Sequence, residues 1–153
     1  VLVAAAGNSG NTSPTYPAKS VNCIAVAATD SNDRKASFSE WGSWVDVAAP
    51  GVDVFSTFPN HPYALGKSLN YDYGSGTSMA TPHVAGIAAL VWSVCSACTN
   101  VQVRQRIEGT AEPIPGTGQY WTFGRVNACN AVGGDCPYQG PQPTPTPTPR
   151  KRH

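Results

Sequence analysis

The sequence predicts an α/β fold with a mostly parallel sheet, and three observations carry that prediction. Val1–Ala6, Ile24–Ala28 and Val45–Ala49 are short apolar runs without alternation, as expected of strands covered on both faces. Each run ends in turn-forming residues: Gly7-Asn8-Ser9-Gly10, Asp30-Ser31-Asn32-Asp33 and Pro50-Gly51. Strands without alternation, interleaved along the chain with helical segments, favour a covered parallel sheet.

The remaining elements follow in chain order. Val52–Thr57 and Tyr71–Gly74 suit an antiparallel pair across a mixed loop. Thr81–Ser96 contains the run Ala85–Trp92, apolar on nearly every helical face, and so predicts a helix buried all round with Pro82 in its first turn. Thr99-Asn100-Val101-Gln102 has the form of a capping box that opens a second helix, ended by Gly109. Trp121–Val126 is a candidate last strand. From Gln139 the chain turns into Pro-Thr repeats, a stiff extended linker that buries no core. The expected organisation is therefore one globular part over 1–138 and a linker over 139–153 with a basic end. A linker of this kind fits a secreted, multi-part protein; a plain disordered terminus is the equal alternative.

Composition excludes several classes. The chain has 153 residues, 41% hydrophobic and 12% charged, too apolar for a disordered charged tail. No apolar run is long enough to span a bilayer as a helix. Ten basic residues face nine acidic ones, and three of the ten lie in the last four residues. The body is thus slightly acidic and lacks the basic footprint that nucleic acid requires. The opening VLVAAAG reads as a strand already inside a core, which predicts the C-terminal part of a longer domain.

The densest signal is Gly74-Ser75-Gly76-Thr77-Ser78-Met79-Ala80-Thr81-Pro82-His83-Val84-Ala85-Gly86. Small residues surround one serine just ahead of the apolar helix. Ser78 would sit where unpaired backbone N–H groups and the helix dipole favour negative charge. An acyl-transfer nucleophile needs that setting, because an oxyanion develops beside it. An ordinary helix N-cap serine is the plain alternative.

This motif closely resembles the active-serine signature of the subtilisin-like serine proteases, in particular their thermitase-type branch. Val3–Gly10, Tyr16-Pro17-Ala18, Ala36–Ser39, Gly42–Gly51 and Gly118–Asn127 resemble the same branch, so the likeness covers roughly residues 1–132. The resemblance implies a three-layer subtilisin-like fold and a serine endopeptidase acting through an acyl-enzyme. It makes Ser78 the nucleophile and Asn8 the side-chain oxyanion donor, with Thr77 and the Ser78 N–H completing the oxyanion hole. Ala4, Ala5, Ala6, Gly7, Tyr16, Pro17 and Ala18 would line the pocket for the residue before the scissile bond, with Tyr16–Pro17 as a cis bond. Met79 matches the family's oxidation-sensitive methionine. It further implies protein or peptide substrates, a secreted monomer, no cofactor for the chemistry, and structural calcium. A weak cation site would take Asp46 and the carbonyls of Ala18, Ser20 and Cys23. A capping or salt-bridging role for Asp46 is the other reading.

The family's chain order is Asp, His, Ser, so the base and the orienting acid are expected ahead of Val1. His83, five positions after Ser78, should point away from it and is expected to be a buried structural histidine. His61 lies in a loop beside Pro62, and His153 lies on the tail. An α/β-hydrolase esterase, for which Gly76–Ala80 is one residue from G-x-S-x-G, is disfavoured because its acid and histidine follow the serine. A non-catalytic module on the same fold is the remaining rival.

Five cysteines remain. Cys95-x-x-Cys98 follows a long helix instead of opening one, which argues against a redox thiolate. With the wide Cys129–Cys136 spacing, the set fits zinc poorly. Of three possible pairings the local one, Cys95–Cys98 with Cys129–Cys136, is preferred, leaving Cys23 as a free core thiol.

Overall fold

The computed structural model describes residues 1–64 and 66–134. Strands β1 (Leu2–Ala5), β2 (Cys23–Thr29) and β3 (Val47–Pro50) pair in parallel, and β6 (Gly124–Arg125) adds to β3. The sheet order is β1-β2-β3-β6, with Val3 opposite Ile24 and Val26 opposite Val47. Strands β4 (Val54–Thr57) and β5 (Tyr71–Gly74) form a separate antiparallel pair.

All seven residues of β2 are buried, which explains its unbroken apolar run. Ile24, Val26 and Ala28 face the helical side. There they pack with Ala80, Val84, Ile87 and Val91 of helix α1 (Thr77–Val94) and with Val103 and Ile107 of α2 (Asn100–Gly109). Ala27 and Ala48 face the other side, against Val45, Ile114 and Trp121. A one-turn helix, α3 (Ala128–Ala131), closes the described chain and is capped by Asn127. The Thr99 hydroxyl accepts from Gln102 N and the Gln102 side chain accepts from Thr99 N, so the capping box forms in full.

Four expectations change. Helix α1 starts at Thr77, not Thr81, which puts Pro82 in the helix interior. Only one face of α1 is buried: Leu90 is 49% and Val94 57% exposed, because sheet and α2 cover one side and no described residue covers the other. Strand β1 is the edge strand, and its Leu2 is 61% exposed. The last strand shrinks to Gly124–Arg125, since Trp121 turns into the core and Thr122 and Phe123 bond to the carbonyls of Val45 and Asp46.

Cys95 and Cys98 are joined by a disulfide, and Cys23 is a buried free thiol. The Cys129–Cys136 pairing falls outside the described residues, as does the Pro-Thr linker. No helix among the described residues is long and apolar enough to cross a membrane.

Candidate active site

Parallel pairing sends the chain out of β1 and into α1 at the same end of the sheet, where α/β sites form. Asn8 follows β1 and Thr77-Ser78 opens α1, so two segments 69 positions apart meet. The Thr77 N–H and the Thr77 hydroxyl both donate to Asn8 Oδ1, each at 2.9 Å. The Thr77 hydroxyl in turn accepts from Gly7 N at 3.2 Å. Thr77 is fully buried while Asn8 is exposed, so the clamp anchors a surface asparagine to a buried hydroxyl.

Two donors on one oxygen fix the amide orientation: Oδ1 faces Thr77 and Nδ2 faces away. That Nδ2 lies 3.5 Å, and the Ser78 backbone nitrogen 3.7 Å, from the point a Cβ on Gly76 would occupy. The Met79 sulfur lies 3.5 Å from the same point. Gly76 has φ +156°, and its missing side chain leaves a space flanked by the Asn8 amide and the Ser78 N–H. Neither donor has a hydrogen-bond partner among the described residues. Two converging free donors at a helix N-terminus suit an oxygen that gains negative charge.

Ser78 is exposed and opens onto a cavity of about 440 Å³ lined by Val54, Phe58, Met79, Pro82 and His83 among others. The hairpin of β4 and β5 forms one wall and the first turns of α1 the other. Pro82 is four residues after Ser78, so the Ser78 carbonyl lacks its helical donor there.

His83 is exposed, which corrects the expectation that it is buried; it lies on the open face of α1. Its Nδ1 bonds to the Met79 carbonyl at 2.9 Å, one turn back, and no hydrogen bond joins it to Ser78. His61 contacts Asn60 in the hairpin loop, and His153 lies outside the described residues. Among the described residues, then, no imidazole partners Ser78.

The expected pocket segments are adjacent. Ala6 and Ala18 are buried, Ala4, Ala5 and Gly7 are half-buried, and Tyr16 is 80% exposed. Thr15 Oγ1 donates to the Ala6 carbonyl at 2.6 Å and ties the two segments together. The Tyr16–Pro17 peptide is cis.

Asp46, the one acid of the cation site expected from sequence, accepts from two donors of the chain itself. One oxygen accepts from Arg104 Nη2 at 3.0 Å and the other from Ala25 N at 2.7 Å. Arg104 Nη1 also donates to the Val21 carbonyl, and the Ser20 carbonyl accepts from Cys23 N. A guanidinium supplies the positive charge that Asp46 faces, so Asp46 is a salt-bridging acid. Among the described residues, no group of three His, Cys, Asp or Glu is placed to hold a metal ion. Burial raises the Asp46 carboxyl above its ordinary value, against the lowering effects of the Ala25 N–H and Arg104. Glu108, 2.6 Å from Arg104 Nε, is likewise raised by burial. Nothing local in the sequence marked Arg104, which reaches Asp46 across 58 positions.

Comparison with known proteins matches this architecture. The model of the subtilase family, Peptidase_S8, matches residues 1–136. Thermitase of Thermoactinomyces vulgaris is 58% identical over 132 residues, covering 86% of this chain and 44% of thermitase. A thermophilic serine proteinase of Bacillus sp. (strain AK1) is 53% identical over 132 residues, 86% of this chain and 30% of that protein. The structure of the prenylagaramide maturation protease PagA aligns with a TM-score of 0.73 at 29% identity, covering 86% of this chain and 49% of that one. The chain thus spans less than half the length of these relatives. A family model matched over nearly all of the globular part, on a parallel sheet that joins Asn8 to the Thr77-Ser78 helix start, places the chain in the subtilase family.

Proposed function

We propose that this chain is the nucleophile-bearing part of a serine endopeptidase. In this reading Ser78 Oγ gives its proton to the base and attacks the peptide carbonyl of a protein or peptide substrate; the C–N bond breaks, the amine half leaves with that proton, and water hydrolyses the acyl-enzyme to release the acid half. Asn8 Nδ2 and the Ser78 N–H donate to the carbonyl oxygen as it becomes an oxyanion, and Thr77 positions Asn8. Ala4–Gly7 and Tyr16–Ala18 receive the side chain before the scissile bond. The base and its orienting acid come from outside these residues, and the whole protein acts in a secreted setting. The single observation behind the reading is the Thr77 clamp on Asn8 Oδ1, which leaves Nδ2 beside the Ser78 N–H.

The test uses the full-length protein that contains these residues. Proteolysis should vanish in Ser78→Ala, and a fluorophosphonate probe should label the parent but not that variant. The 153-residue chain alone should remain unlabelled. Labelling of the short chain at Ser78 would show a local base and refute the assignment of the base to other segments.

A further inference from the structure

The loop that carries Asn8 is exposed from Asn8 to Thr12 and belongs to no helix or strand. Two neighbours hold it. On one side Thr77 of α1 bonds to Asn8 Oδ1 and accepts from Gly7 N. On the other side segment 38–41 runs along the loop. Gly10 N donates to Phe38 O at 2.7 Å, Glu40 N to Gly7 O at 2.9 Å and Trp41 N to Asn11 O at 3.2 Å.

Glu40 is the charged member of that segment, and it is turned inward. It is 3% exposed, and its Oε2 is buried with no hydrogen-bond partner. The Lys35 ammonium donates to the carbonyls of Ala36 and Ser39 instead. A carboxylate in such a place loses hydration and gains no strong donor for that oxygen in return. What it does gain is contact. Its atoms fill the space into which a side chain on Gly7 would project, so one Cα hydrogen of Gly7 is directed at them. Glu40 thus holds Gly7 twice. Its N–H takes the Gly7 carbonyl, which belongs to the peptide leading into Asn8, and its carboxylate packs against the Gly7 Cα. Thr77 sets the rotation of the Asn8 amide, and Glu40 sets the backbone from which that amide hangs.

We propose that Glu40 is a positioning residue for the oxyanion donor: packed against Gly7, it holds the Gly7–Asn8 peptide so that Asn8 Nδ2 stays beside the Ser78 N–H. This rests on the endopeptidase reading above. The role is one of shape. It requires no access from solvent and no charge, so the uncharged isostere Gln serves equally well.

The test is a double-mutant cycle in the full-length protein, with kcat and KM measured on one peptide per active site titrated with the fluorophosphonate. Glu40→Ala empties the space beside Gly7 and should lower kcat by about 10- to 100-fold with KM nearly unchanged, the signature of a displaced transition-state donor. In the Asn8→Ala background the same change should cost far less, because the group it positions is gone. Glu40→Gln keeps the shape and should retain kcat to within about threefold. Glu40→Asp keeps the charge but draws the carboxylate back from Gly7. It should lower kcat, again chiefly where Asn8 is present, and it carries the test if Glu40→Ala does not fold. Equal losses in the two backgrounds would mark a general loosening of the fold and overturn the inference. So would parental kcat in both Glu40→Ala and Glu40→Asp, or a Glu40→Gln enzyme as slow as Glu40→Ala. All three results would leave the endopeptidase reading intact. A parent that cleaves no peptide would overturn that reading itself, and this inference with it.

Discussion

Asn8 and Thr77 are joined by two hydrogen bonds to one oxygen, from the Thr77 N–H and the Thr77 hydroxyl, both at 2.9 Å. The pair turns a loop asparagine into an oriented donor. In the full-length protein, Asn8→Ala should lower kcat by about 100- to 1000-fold with little change in KM, a magnitude measured on subtilisin itself. Thr77→Val keeps the backbone bond but loses the hydroxyl one. It should cost about 1 kcal/mol of orientation, or roughly five- to tenfold in kcat. Steady-state kinetics on one peptide checks both.

Gly76 keeps open the space between Asn8 Nδ2 and the Ser78 N–H. Gly76→Ala places a methyl group there and should abolish measurable turnover. The fold should survive, with a loss of about 1–3 kcal/mol from the strained backbone. Urea unfolding beside an activity assay separates the two effects. An active Gly76→Ala enzyme would mean that this space does not hold the reacting oxygen.

Arg104 lies between Asp46 and Glu108 at 3.0 and 2.6 Å. Arg104→Met strands two half-buried carboxylates and should destabilise by about 3 kcal/mol. Activity per folded molecule should hold, because the cluster lies away from Ser78.

The same cluster has a signed pH dependence. Burial raises Asp46 above 3.8 and Glu108 above 4.5, so the folded chain holds these protons more tightly than the unfolded one. Their stabilising contribution is present in acid and is lost as pH rises through the folded values. Relative to Glu108→Gln, the parent should therefore lose stability as pH rises just above 4.5. Denaturation of both proteins across that window checks the sign.

His83 tests the correction made by the structure. An exposed ring bonded only within its own helix should contribute little, so His83→Ala should change stability by about 0.5 kcal/mol or less. Chemical denaturation of the parent and the variant measures it.

Much of this was legible in the sequence where the cause is local. The β2 run reads directly as a covered strand, and Thr99-x-x-Gln102 as a cap, because adjacent residues carry the whole signal. The meeting of Asn8 with Ser78 was legible through the motif resemblance. What escaped depends on neighbours. Periodicity cannot tell a helix covered on all faces from one covered on a single face, so the exposure of His83, Leu90 and Val94 was missed. The turn Thr77-Ser78-Met79-Ala80 already belongs to the helix, and Pro82 is tolerated inside it. Arg104 and Glu40 meet their neighbours only through long-range packing, which no local pattern encodes.

The most direct measurement is a crystal structure of the full-length protein with a phosphonate bound covalently to Ser78. The account predicts one phosphonyl oxygen in the space beside Gly76, about 2.7–3.1 Å from both Asn8 Nδ2 and the Ser78 N–H. A phosphonyl oxygen turned away from that space, with Asn8 Nδ2 bonded elsewhere, would contradict it.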